Sequence, residues 1–272
     1  MWFDQLFETY ESIKNQIPYS PKVAMVLGSG LGNFADNIVI DKIIDYNDIP
    51  NMPRSTVEGH KGRFVFAKID GIPCVIMQGR VHYYEGYSPQ QVVMPIRLMG
   101  LMGAKILIVT NAAGGITYPE VGSLMLITDH ISFVPNPLIG PNCDKLGVRF
   151  PDMSAPYDAR LCQIARDCTQ QLDLPLNEGV YVQFSGPSFE TKADIKMAKI
   201  IGGDAVGMST AIEVIVANHM GMKVLGISCI TNPACGVSDA TLSHVDVQIA
   251  ADKNGDKLER LLKYIVSATK EF

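Results

Sequence analysis

The chain is short of several features that would each announce a function class. Of its 272 residues one is tryptophan and only 19% are charged, with 28 Asp and Glu against 23 Lys and Arg. That balance leaves no broad basic surface. Nucleic acid and membrane surfaces are therefore poor candidate partners, because affinity for phosphate backbones and anionic lipids comes from clustered cations. No apolar run approaches the roughly 18 residues that a membrane helix needs. The stretch MWFDQLFETYESIKNQ has no basic segment leading into an apolar core, so no secretory signal is read. Instead Trp2, Phe3, Leu6, Phe7, Tyr10 and Ile13 recur at the spacing of an amphipathic helix. The six cysteines (Cys74, Cys143, Cys162, Cys168, Cys229 and Cys235) form no CxxC pair and have mostly apolar neighbours, which points to reduced thiols in a cytoplasmic protein. His60, His82, His130, His219 and His244 follow neither an HxH nor an HExxH pattern, so no metal site is expected. A GK[ST] phosphate loop and a GxSxG nucleophile elbow are both missing, which argues against P-loop nucleotidases and serine hydrolases.

What is there is apolar and regularly punctuated. Hydrophobic residues make up 47% of the chain, enough for a folded core. Strands are read at Val23–Leu27, Ile106–Thr110, Leu124–Ile127, Gly179–Phe184, Asp204–Gly207 and Lys223–Ile230, with a hairpin about the turn dipeptide Asp70-Gly71. Helical spacing runs over 90–102, 159–172, 192–201, 211–219 and 245–269, and the Pro- and Gly-rich stretch 135–156 reads as a long loop. Alternating strands and helices with glycine-rich strand exits imply a single α/β domain over 1–272, a mixed central β-sheet flanked by helices. Ligands in such sheets sit beyond the carboxyl ends of strands.

The chemically suggestive residues fall at those ends. Gly28-Ser29-Gly30-Leu31-Gly32 follows a strand and suits either a tight turn or an anion cradle; Asn33 stands where a dinucleotide fingerprint needs its third glycine. Arg80 and His82, two apart after another strand, share a face in an extended segment and suit an oxyanion, or else form a solvated face or an ion pair with a carboxylate such as Glu85. Phe189 beside Glu190 suits a flat heterocycle with N–H donors, although Glu190 near a helix start also reads as a cap. Met208-Ser209 and Thr231-Asn232 end two further strands, and an asparagine can both donate to and accept from a base edge.

Taken in order, GSGLG (28–32), PRSTVEGHKG (53–62), MQGRVHYYEGY (77–87), TNAAGG (110–115), NPLIGPN (136–142), SGPSFET (185–191), DAVGMS (204–209) and ITN (230–232) resemble the trimeric type of purine nucleoside phosphorylase. The order and spacing hold from about residue 23 to 250. The resemblance implies phosphorolysis of 6-oxopurine (deoxy)ribonucleosides such as inosine and guanosine, with orthophosphate as co-substrate and no cofactor or metal. It implies a phosphate site at Ser29, His60, Arg80, His82, Ala112 and Ser209, and nucleoside contacts at Tyr84, Phe150, Phe189, Glu190, Met208, Asn232 and His244. Asn232, Glu190 and His82 are its candidate catalytic residues. By the same resemblance Phe150 matches the aromatic that a neighbouring subunit lends to the sugar pocket, which implies a homotrimer. Two departures stand out: Pro233 follows Asn232, and Phe184 stands near the place where relatives that accept xanthosine carry a tyrosine.

Overall fold

The computed structural model describes residues 1–28, 32–57, 60–238 and 244–272, with side chains at all of these except 33, 244–246, 248 and 252–254. The elements run α1 (Trp2–Ile13), β1 (Val23–Leu27), β2 (Ile40–Asp45), β3 (Arg63–Ile69), β4 (Ile72–Gln78), α2 (Pro89–Val92), α3 (Met94–Leu101), β5 (Ile106–Gly115), β6 (Leu124–Ser132), α4 (Ala159–Gln171), β7 (Leu176–Gln183), α5 (Lys192–Ile200), β8 (Ala205–Gly207), α6 (Ala211–His219), β9 (Lys223–Pro233) and α7 (His244–Ala268). The expected α/β architecture is present. α7 packs on β9 and α4, and α6 packs on α3.

The sheet order is β2-β3-β4-β1-β5-β8-β7-β6-β9, and β9 also pairs with β5. Strands β5, β8, β7, β6 and β9 therefore close into a ring, and the remaining four form an arm hung on β5. Closure removes edges from that half of the sheet. β1, with every residue buried, pairs parallel with both β4 and β5, as a fully covered central strand should.

β5 outlasts its apolar run. Ile106–Val109 pairs with β1, and the strand then continues through Asn111-Ala112-Ala113 before Gly114 and Gly115 meet β8. Among the described residues that edge of β5 carries no ladder between its two partners. This is a switch point between strand partners, where backbone groups face a crevice. Gly28 makes it possible: a Cβ there would lie 2.8 Å from the Asn111 Cα.

Three local departures have simple causes. The 90–102 helix is broken at Val93, because Pro95 in the first turn of α3 has no N–H to continue the ladder. β2, not expected from sequence, is an edge strand with one buried residue, so it shows no apolar alternation. β6 and β7 extend beyond their apolar runs because they pair with each other along their length. Among the described residues no helix is long and apolar enough to cross a membrane. All six cysteines are free thiols, five of them buried.

Candidate active site

A cavity of about 270 Å³ opens at the switch point. Nine of the residues singled out from sequence line it: Arg80, His82 and Tyr84 after β4, Ala112 on β5, Phe189 and Glu190 before α5, Met208 and Ser209 after β8, and Asn232 on β9. His60 backs the same wall, its Nδ1 accepting from the Arg80 backbone N–H at 2.7 Å. Close contact between these two loops needs Gly79, whose φ is +97° and where a Cβ would lie 2.9 Å from the His60 Cα. Ser29 and the His244 side chain lie outside the described residues. Phe150 is not brought to this cavity; it stands 85% exposed on the 135–156 loop.

Arg80 lines the cavity at 1% exposure. Of the readings open for it, an oxyanion partner, a solvated face or an ion pair with a carboxylate, its Nε/Nη2 edge shows the ion pair: Nε and Nη2 donate to the two carboxylate oxygens of Glu213 at 3.1 and 3.0 Å. A buried cation without a compensating charge is costly, and the carboxylate supplies that charge. Nη1 donates to the Thr110 carbonyl at 2.7 Å and to Ser209 Oγ at 3.2 Å. Because Ser209 Oγ accepts from Arg80, its own hydrogen can be given elsewhere. The carboxylate first weighed as an ion partner for Arg80, Glu85, serves His82 instead.

Glu85 accepts from the His82 backbone N–H at 2.7 Å, from Thr56 N at 2.5 Å and from Thr56 Oγ1 at 2.8 Å. Burial pushes its carboxyl up, but hydrogen bonds from the His82 ring, from the Thr56 and His82 backbones and from the Thr56 hydroxyl outweigh burial and hold it at about 2. It latches the 53–62 segment onto the loop after β4. Burial lowers the His82 pKa, so its imidazole is neutral near pH 7. Glu85 Oε1 lies 3.3 Å from His82 Nδ1 and can only accept, which assigns the proton to Nδ1. Nε2 is left as an acceptor, suited to a protonated oxyanion. The Tyr84 ring stacks on His82 with centroids 4.8 Å apart.

Glu190, also in the lining, is half-buried, and burial raises its carboxyl pKa. It is not the helix cap: Thr191 caps α5, its side chain accepting from Asp194 N. Phe189 is 39% exposed at the cavity rim. Asn232 Nδ2 donates to the Pro233 carbonyl at 2.8 Å, and its Oδ1 accepts from Thr231 Oγ1 at 3.0 Å. One amide hydrogen and one lone pair of Asn232 thus remain by valence. Phe184 packs on Phe133, centroids 5.0 Å apart, and is not among the cavity-lining residues.

Residues not foreseen complete the frame. Thr210, fully buried, has φ +85°, a region a β-branched residue adopts only under constraint. Its Oγ1 accepts from Asn111 Nδ2 at 2.9 Å and lies 3.1 Å from Ser209 Oγ. Gln183 Oε1 accepts from Ile212 N, capping the first turn of α6. Two signals were available for Glu213: it is the lone acid in AIEVIVANH, and an acid in a first turn is favoured by the helix dipole.

The Phosphorylase superfamily profile matches residues 22–267. Purine nucleoside phosphorylase 1 of Geobacillus stearothermophilus is 52% identical over 93% of each chain. This chain belongs to the purine nucleoside phosphorylase family. The mouse purine nucleoside phosphorylase is 44% identical, over 96% of this chain and 95% of its own. Among solved structures, isoform 2 of the Schistosoma mansoni enzyme, in complex with cytosine and ribose-1-phosphate, superposes with TM-score 0.91 at 40% identity, covering 97% of this chain and 96% of its own. Membership in the phosphorylase family carries the general reaction, phosphorolysis of a purine nucleoside, and with it a place in purine salvage.

Proposed function

We propose that this chain catalyses reversible phosphorolysis of 6-oxopurine ribo- and deoxyribonucleosides, inosine and guanosine, to the free purine and (deoxy)ribose 1-phosphate. In this reading the whole chain is one phosphorylase domain and a pentosyltransferase, assembled as a cytoplasmic homotrimer in which Phe150 reaches a neighbour's sugar pocket. The observation that supports it is the pairing, across one cavity, of hydroxyl and guanidinium donors at Ser209 and Arg80 with a carboxylate at Glu190.

Orthophosphate is the nucleophile, so no side chain needs to form a covalent bond. Ser209, Arg80 and backbone amides hold it beneath C1′, where its negative charge stabilises an oxocarbenium-like transition state as the C1′–N9 bond lengthens. Neutral His82 accepts from a protonated phosphate oxygen through Nε2. Tyr84 and Met208 wall the sugar, while Phe189 covers the base. Asn232 donates to N7 as negative charge flows into the leaving purine. Ionised Glu190 accepts from N1–H of inosine or guanosine and repels the N1 lone pair of adenosine. A Schistosoma mansoni relative, 35% identical, is solved with adenosine. Occupancy is therefore a weaker discriminator than turnover.

The test is an assay of free purine release from inosine, guanosine, xanthosine and adenosine, with and without phosphate, with ribose 1-phosphate identified as the second product when phosphate is present. Inosine and guanosine should react only with phosphate and far faster than adenosine. Equal rates without phosphate would overturn the reading. Glu190→Ala should cost roughly ten- to a hundredfold on inosine and narrow the inosine-to-adenosine ratio. An unchanged ratio, with equal losses on both, would remove Glu190 from base recognition.

A further inference from the structure

We propose that Glu213 is a positioning residue of the phosphate site: it grips Arg80 by its Nε/Nη2 edge and cancels its charge, leaving only the outer Nη end for the anion. The proposal rests on the phosphorolytic reading of the cavity.

The geometry is that of a side-on clamp. A guanidinium has five N–H groups. Two of those on Arg80 go to Glu213, and two go to the Thr110 carbonyl and Ser209 Oγ, so one on Nη2 remains. Arg80 and Glu213 side chains are both 1% exposed, so water does not screen the pair. A bidentate pair of this kind fixes the plane of the guanidinium as well as its position. Glu213 is itself held, standing in the first turn of α6, whose backbone follows Thr210 and Ser209. The same short segment therefore presents the Ser209 hydroxyl and clamps the arginine that donates to it. Two donors of the anion site are locked together by one element.

Charge gives the clamp a second consequence. With Glu213 paired to Arg80 and His82 neutral, the described side chains of this wall contribute little net positive charge. Phosphate is then held by directed hydrogen bonds rather than by a pool of cation, and such bonds fail when a donor is misplaced by an ångström. Errors in Arg80 should thus appear in phosphate use before they appear in nucleoside use. A purely structural role for Glu213 would degrade both together.

The experiment compares Glu213→Asp, which keeps the charge but draws the carboxylate back by one methylene, with the unmutated enzyme, reading KM for phosphate and for inosine separately. The unmutated enzyme must first show its phosphate requirement; without it the functional reading itself fails. Given that requirement, phosphate KM should rise about tenfold in Glu213→Asp while inosine KM stays within about twofold. Equal changes in both constants, or none, would overturn the positioning role and leave the functional reading standing. A second measurement does not depend on the variant folding. In the unmutated protein, the Arg80 Nε–H resonance should be protected from solvent exchange and should persist when inorganic phosphate is added. Its loss on adding phosphate would mean that Arg80 leaves Glu213 to bind the anion, and the clamp would be wrong.

Discussion

Two arginines lie buried near the two ends of α6, Arg80 by Glu213 in its first turn and Arg97 by His219 in its last, each 1% exposed, and the fold treats them differently. Arg80 gives its Nε/Nη2 edge to the Glu213 carboxylate. Arg97, on α3, has no carboxylate on that edge: its Nε and Nη2 find no hydrogen-bond partner among the described residues, and Trp2 covers the guanidinium with its ring centroid 4.6 Å away. Its Nη1 lies 3.4 Å from His219 Nδ1. Burial pulls Arg97 down to about 10, so it remains charged near neutrality. The comparison separates two uses of a buried cation. A paired guanidinium is held in one orientation and can serve chemistry, whereas one held only by a ring and an imidazole serves packing. On that side the chain of contacts runs from Arg97 through His219 to Asn142, whose Nδ2 holds the Gly147 carbonyl at 3.0 Å in the loop that carries Phe150.

The largest difference should appear on replacing each arginine by methionine. Arg80→Met removes a charge-assisted anchor and leaves Glu213 buried and uncompensated. It should cost about 1.5–3 kcal/mol in kcat/KM for phosphate, roughly ten- to a hundredfold, and it should also lower stability. Arg97→Met should leave the phosphate KM within about twofold, since nothing on that side touches the cavity. Steady-state kinetics with phosphate varied at saturating inosine decides it. Equal losses in the two variants would erase the distinction between them.

Acid gives the next effect, and it belongs to the Arg97 side. Burial, with the Arg97 and Arg149 charges beside it, lowers the His219 pKa to about 4 from an ordinary 6.5. A histidine whose folded pKa lies below its unfolded value stabilises the fold above the unfolded pKa and loses that contribution as pH falls through the folded one. The window is therefore about pH 6.5 down to about 4. Linkage over that shift gives a loss of about 2 kcal/mol by about pH 5. Denaturant unfolding across that range measures it. His219→Gln, which cannot take a proton, should show a shallower decline, and an identical slope would assign the acid sensitivity elsewhere.

How much of this was legible in the sequence depends on the range of the contacts. β1 and β5 were visible because apolar runs stop at Gly28 and at Asn111-Ala112-Ala113, and the same stops mark the cavity wall. Phe189, Glu190, Ser209 and Asn232 were legible for that reason, each sitting just past a strand or at its end. Closure of the ring was not, because it depends on β9 registering with β5, a pairing more than a hundred residues apart that no local pattern encodes. Glu213 was hidden in the same way. An acid in an apolar helix reads as a cap or a solvent face until Arg80, 133 positions earlier, is placed opposite it. Arg97 in Met94-Pro95-Ile96-Arg97-Leu98 carried only helical spacing, and its burial against Trp2 appears only when α1 is laid on α3.

The smallest expected effect sharpens the comparison most, because it asks whether Arg97 contributes stability at all. Arg97→Met gives up one long hydrogen bond to a neutral imidazole and a cation–π contact worth roughly 0.5–2 kcal/mol. It recovers the cost of keeping a guanidinium away from water with no carboxylate beside it, and methionine fills the space with a flexible apolar chain. These terms oppose each other, and the net change in unfolding free energy near pH 7.5 should stay within about 1 kcal/mol. The variant carries a second signature. Removing the Arg97 charge lifts one of the influences that depress His219, so the acid decline should shrink and level off at higher pH in Arg97→Met than in the parent. Denaturant unfolding at about pH 7.5 and about pH 5 reads both. A loss above about 3 kcal/mol at the higher pH would show that Arg97 is compensated as firmly as Arg80, and the two arginines would then be alike.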